Sequence, residues 1–168
     1  MPNRSRIAQG LYDTLELQFV EQMRAFVGPM FEELCRTWTL IQARASGLPF
    51  SPDFAGSDWG AHHQVDAVAV NWREHQVLIG EAKWSDELPD RKDWRDFADR
   101  VQKVMLRLQA ATPKAKKEPK PWQSHLIFFA RRGVTAALRA EAQKANARII
   151  TFAEMVRDLE RLPDKPIR

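Results

Sequence analysis

Residues 64–71 and 76–84 are two runs of alternating β-branched and small apolar residues, separated only by Trp72-Arg73-Glu74-His75. That spacing predicts an antiparallel hairpin. The hairpin constrains the rest of the chain, because its register decides which side chains share a face. With the turn centred between Arg73 and Glu74, Asn71 faces Gln76, Val70 faces Val77 and Val68 faces Ile79. Continuing outward, Asp66 faces Glu81 and Gln64 faces Lys83. Alternation then places Gln64, Asp66, Val68 and Val70 on one face with Lys83, Glu81, Ile79 and Val77. The opposite face carries Val65, Ala67, Ala69, Leu78, Gly80 and Ala82, all apolar or small. Helices are therefore expected on both sides of the hairpin.

Helical spacing predicts the covering elements. A first helix over residues 7–26 carries Leu11, Leu15, Phe19, Met23 and Phe26 at the right intervals and is interrupted at Gly28-Pro29. Pro29 suits the first position of a second helix, running to residue 45 and burying Met30, Phe31, Leu34, Trp38 and Ile41, with Gly47 capping its end. Residues 46–63 are rich in Pro, Gly, Ser and Asp and read as a loop, with at most a short strand near Phe50. Asp90 or Asp93 caps a helix whose stripe is Trp94, Phe97, Val101, Met105 and Leu108. Residues 112–121 hold three prolines and four lysines and read as a surface loop. A strand over 124–130, a helix over 134–146, a strand over 148–151 and a helix over 152–162 follow, implying a parallel pair with a right-handed crossover. The expected fold is α/β: a mixed sheet with a central antiparallel hairpin and helices on both faces. The expected organisation is a helical extension over 1–27, one domain over 28–162 and a tail over 163–168.

A hydrophobic fraction of 44% in 168 residues fits one globular domain and excludes disorder as the main state. Cys35 is the only cysteine, so an internal disulfide, a thiolate zinc site and dithiol redox chemistry are excluded. No apolar run approaches the roughly 18 residues of a membrane span. The basic start Met1-Pro2-Asn3-Arg4-Ser5-Arg6 leads into no signal-peptide apolar region. A cytoplasmic protein with no membrane partner is the expectation. The net charge is only +4, yet residues 91–132 hold twelve Lys and Arg against four acids. Such a segment suits a phosphate backbone, or equally a solvated helix face followed by a basic loop. Arg100 and Lys103, on the helix after the hairpin, are candidate phosphate contacts. His62 and His63 are candidates for orienting a phosphate or a water. Trp59 and Trp84 are candidates for stacking on bases, with helix packing the alternative for Trp84.

Asp66 and Glu81 carry the chemistry. Like charges on opposed strand residues are destabilising, and two carboxylates in a half-buried site need a shared proton or a cation. Lys83 supplies one positive charge. A hard divalent cation would serve both acids, since Mg²⁺ sits on one or two carboxylates with waters and substrate phosphates. An ordinary ion-pair cluster at a sheet edge is the competing reading.

Val65-Asp66-Ala67-Val68-Ala69, followed by Glu81-Ala82-Lys83-Trp84, resembles the PD-(D/E)XK nuclease superfamily. More narrowly, the chain resembles the nuclease-like domain at the C-terminus of archaeal-type AAA+ ATPases. Gly28-Pro29-Met30-Phe31-Glu32 on the helix before the hairpin, and Phe129-Ala130-Arg131-Arg132-Gly133-Val134-Thr135 after it, are similar to that domain over residues 25–160. The resemblance implies a restriction-endonuclease-like fold and metal-dependent hydrolysis of nucleic-acid phosphodiesters, with DNA favoured over RNA. It implies that Asp66, Glu81 and the Ala82 carbonyl hold Mg²⁺ or Mn²⁺, that Lys83 orients water or neutralises phosphoryl charge, and that Glu32 points at the site. Helical angles taken alone favour Glu33 over Glu32. Val65 replaces the proline of the superfamily's name, and Gln64 stands where related sequences often carry an acid. No Gly-x-x-x-x-Gly-Lys-Ser/Thr is present, so an ATPase partner would act in cis or in trans. The alternative function is a non-catalytic nucleic-acid- or protein-binding module of an ATPase, with oligomerisation open.

Overall fold

The structure, a computed structural model, describes residues 12–45, 47–60, 63–112 and 120–161. Its elements are α1 (Tyr12–Arg44), β1 (Phe54–Gly60), β2 (His63–Asn71), β3 (Gln76–Lys83), α2 (Arg91–Ala111), β4 (Gln123–Ala130), α3 (Ala136–Lys144), β5 (Arg148–Thr151) and α4 (Phe152–Glu160). The sheet runs β1-β2-β3-β4-β5. β1, β2 and β3 pair antiparallel, while β3, β4 and β5 pair parallel. The mixed α/β architecture with its interior hairpin is as expected. None of the described helices is long and apolar enough to cross a membrane.

Three local expectations are corrected. No break occurs at Gly28-Pro29, because α1 is one 33-residue helix with Pro29 inside it. Pro29 removes one helical N–H, leaving the carbonyl of Ala25 without its partner. Ala25, Phe26 and Pro29 are all exposed, so that carbonyl can turn to water. Met30 is exposed rather than buried, and so are Met23 and Phe26. The third correction is β1. Its sequence, Phe-Ala-Gly-Ser-Asp-Trp-Gly, has poor intrinsic strand preference, yet it pairs along β2 from Phe54↔Val70 to Gly60↔His63. Phe50, where a strand was allowed, lies in a bend and is buried.

The β2–β3 register follows the expected pairing from Asn71↔Gln76 to Ala67↔Gly80, where the ladder ends. On the other edge of β2 the pairing moves from Gly56↔Val68 to Asp58↔Val65. Asp66 and Ala67 together thus oppose Ser57 alone, which is a β-bulge. The extra residue reverses the alternation beyond it. Val65, expected on the face of Ala67, instead packs with Val68, Val70, Val77 and Ile79.

Each sheet face has its own core. One side buries Trp94, Phe97, Val101, Val104 and Leu108 of α2, and Leu138 of α3, against the valines of the hairpin. The other buries Phe31, Cys35 and Trp38 of α1 and Met155 of α4 against Ala67, Ala69, Leu78 and Phe129. α2 starts in a capping box. The Asp90 carboxylate accepts from the Lys92 and Asp93 N–H groups, and the Asp93 side chain accepts from the Asp90 N–H. Asp90→Ala removes these acceptors and is expected to cost about 1 kcal/mol, measurable as a reduced urea midpoint with unchanged slope.

Candidate functional site: a carboxylate pair where the hairpin ladder opens

The bulge at Asp66 and the end of the β2–β3 ladder coincide. Where a β2 carbonyl would otherwise accept, Oδ2 of Asp66 accepts the Ala82 N–H at 2.8 Å. The N–H and C=O of one strand residue point the same way, so the Ala82 carbonyl is turned toward the same opening. Glu81 and Lys83 stand two residues apart on β3, with Lys83 Nζ 3.1 Å from Glu81 Oε1. Arg100, from the middle of α2, brings Nη2 to 2.6 Å from the same oxygen. Asp66 and Glu81 are 8% and 3% exposed. The expected simple cross-strand pair is therefore modified: Asp66 reaches across the opening to β3 backbone, with Glu81 as its neighbour beyond the last paired residues.

Electrostatics express that burial. Desolvation raises the pKa of Asp66, against the lowering effects of the Ala82 N–H, Arg100, Lys83 and Arg36. Glu81 is raised first by desolvation and then by the charge of Asp66, partly offset by Lys83 and Arg100. A low-dielectric setting makes each unpaired charge expensive, so the site is built to hold counter-charge.

α1 supplies the remaining wall. Glu32 feels Asp66 and Lys83 as well as its own burial, and its pKa is raised. Glu33 points outward, 69% exposed and paired with Arg36 at 2.9 Å. Helix angles alone favoured the wrong one of this pair. Arg36, which sequence reasoning missed, donates from Nη1 to the Asp66 carbonyl at 3.2 Å and lies 4.0 Å from Glu32. Its signal was the Glu-Glu-x-x-Arg spacing that lets one guanidinium meet acids three and four residues back.

Other candidates are distributed differently. Trp84 packs between Phe31 and Phe152, under the guanidinium of Arg131, as a packing anchor. Arg131 also pairs with Asp86, and Arg91 pairs with Glu141 at 3.3 Å, so part of the basic segment serves internal ion pairs. Lys103 is exposed on α2, one turn beyond Arg100. His63 opens β2 opposite Gly60, and Trp59 pairs with Gln64 on β1; the side chains of His63, Trp59 and Gln64 lie outside what is described, as do His62 and residues 113–119. Cys35 is fully buried with its thiol pushed up by desolvation, which leaves it no nucleophilic role.

The donor set suits a hard cation. Two carboxylates and a peptide carbonyl are oxygen ligands of the kind Mg²⁺ and Mn²⁺ accept. Among the described residues no three His, Cys, Asp or Glu side chains gather as a protein cage. Mg²⁺ does not require one, since it keeps waters and substrate oxygens.

A family model for archaeal and bacterial proteins of unknown function, DUF234, matches residues 1–97. The chain belongs to DUF234. The DUF234 match covers α1, the whole hairpin with Asp66, Glu81 and Lys83, and the first turns of α2. The uncharacterized protein MJECL04 of Methanocaldococcus jannaschii is 28% identical over 105 residues, covering 62% of this chain and 23% of that relative. The chain thus spans about a quarter of the length of the relative it matches. No solved structure matches it.

Proposed function

We propose that this site is a metal-dependent phosphodiesterase centre of the PD-(D/E)XK type, acting on nucleic acid. The observation that carries the reading is the pair of buried carboxylates, Asp66 and Glu81, at the opening of the hairpin ladder with Lys83 in contact. Asp66, Glu81 and the Ala82 carbonyl would hold Mg²⁺ or Mn²⁺. When bound, the ion supplies Lewis-acid polarisation of a phosphate and a more acidic water. Lys83, with its side chain about a third exposed at 34%, presents an ammonium that orients the water or a phosphoryl oxygen. Glu32 and Arg36 position the β2 end of the site from α1. In the reaction the water oxygen bonds to phosphorus, one P–O ester bond breaks, and a proton released by the attacking water ends, by way of solvent, on the departing oxygen.

One observation favours a second reading. Glu81 is already neutralised by Lys83 and Arg100, as suits a non-catalytic binding module attached to an ATPase, in cis or in trans. The two readings separate by calorimetric titration of Mn²⁺ with Asp66→Ala as control, beside cleavage assays on single- and double-stranded DNA and on RNA. Metal binding lost in Asp66→Ala, with cleavage by wild type, is the expected result. Nucleic-acid binding without metal binding or cleavage would favour the module. Binding through the basic residues is expected to weaken steeply with salt, because phosphate neutralisation releases counterions.

A further inference from the structure

We propose that Arg100 is a built-in counter-ion that competes with the metal for Glu81, and that a phosphodiester draws it away, so that metal loading is coupled to arrival of the substrate. The inference rests on the metal-site reading above.

Its basis is the geometry around one guanidinium. Arg100 places Nη2 at 2.6 Å from Glu81 Oε1, closer than Lys83 at 3.1 Å. That contact lacks the alignment of a hydrogen bond. The buried Nε and Nη2 atoms of Arg100 have no hydrogen-bond partner among the described residues. A guanidinium has five donors in a planar fork that fits two oxygens of a phosphate together. Here Nε and Nη2 are shut away from water without a hydrogen bond, Nη2 making only a misaligned ion contact, so Arg100 neutralises Glu81 without being satisfied by it. The rest of its side chain meets solvent, 26% exposed overall, so an anion arriving there engages the guanidinium only as it swings outward from Glu81. Lys83 already covers the same carboxylate oxygen. With Arg100 also in place, an incoming divalent cation meets a second positive charge at Glu81. A phosphodiester oxyanion offers Arg100 the paired acceptors it lacks, and its departure leaves Glu81 free to ligate. Each ligand then improves the site for the other, and the coupling is reciprocal.

The test is calorimetric titration of Mn²⁺ at pH 8, with dimethyl phosphate as the phosphodiester probe and sodium chloride at matched ionic strength as control. Wild type is expected to bind Mn²⁺ about 5-fold or more tightly in dimethyl phosphate, the lower end of ordinary coupling between sites. Arg100→Gln is expected to bind Mn²⁺ about 10-fold more tightly than wild type without the probe, and to lose the response to it. Circular dichroism checks that the variant is folded, and Arg100→Lys, which keeps the charge, is expected to stay near wild type in the absence of probe. Mn²⁺ affinity unchanged in Arg100→Gln, or a probe response that survives the substitution, would overturn the coupling and leave the metal site standing. Absence of Mn²⁺ binding in wild type and Arg100→Gln alike would overturn both.

Discussion

Asp66→Asn is expected to abolish metal-dependent cleavage while making the metal-free protein more stable. Asparagine keeps the shape and can still accept the Ala82 N–H, but it removes a charge that burial disfavours. Lewis-acid assistance is worth several kcal/mol and each ~1.4 kcal/mol is tenfold in rate, so turnover should fall by about 10²–10⁴-fold. In EDTA the melting temperature should rise, by about 2–4 °C for each kcal/mol relieved in a chain of this size. The pH dependence has a definite sign. Native Asp66 and Glu81 have raised pKa values, so the native state binds more protons than the unfolded state, and stability falls as pH rises. The advantage of Asp66→Asn over wild type should therefore be absent below the ordinary carboxylate range, about pH 4, and grow as pH climbs through the raised native value. With Mn²⁺ the order reverses, because only wild type gains binding energy. Lys83→Ala should behave oppositely in EDTA, losing stability as Glu81 loses a 3.1 Å partner. An Asp66→Asn protein less stable than wild type in EDTA at pH 8 would mean that the carboxylate serves as an ordinary ion-pair member. Thermal melts with and without metal, beside the cleavage assay, decide it.

The hairpin was legible because two independent constraints agreed: a four-residue gap and a strict period-two pattern. They placed every observed β2–β3 pair from Asn71↔Gln76 to Ala67↔Gly80. Both constraints fail at the next residue. Period-two reasoning has no means of seeing the extra residue at Asp66-Ala67, so Val65 was put on the wrong face. β1 was hidden for a different reason. Its Gly, Ser and Asp residues disfavour strands locally, and its existence depends on partner carbonyls and N–H groups of β2 distant in sequence. Pro29 misled because its cost to a helix is conditional on where the freed carbonyl ends up, and here that carbonyl is at the surface. At the site, Asp66, Glu81 and Lys83 were visible as polar interruptions of apolar strands. Arg36 and the aim of Arg100 at Glu81 were not, since each depends on how a helix is rotated over the sheet.

Phe129→Ala is expected to be the most destabilising single change of those considered, and its size should depend on what stands at Gly80. Phe129 is fully buried beneath α1, edge-on to Trp38 with ring centroids 5.6 Å apart. Truncating a buried phenylalanine costs about 3–5 kcal/mol, a large share of the roughly 5–15 kcal/mol that holds a domain together. Gly80, on the adjacent strand, leaves room for that ring: a Cβ there would lie 3.0 Å from Phe129 Cε2 and 3.1 Å from the Ala67 Cβ. Gly80→Ala alone therefore overpacks the layer and should cost about 1–3 kcal/mol. In the Phe129→Ala background the first of those close contacts is gone and the new methyl occupies vacated space. The double variant should be more stable than the sum of the single losses by about 0.5–3 kcal/mol, the usual coupling between touching side chains. Urea unfolding of the four proteins measures it. Additive losses would show that the Ala67 contact, held by backbone, limits the space at Gly80. The residue before Glu81 would then be constrained by β2 itself rather than by the ring beneath it.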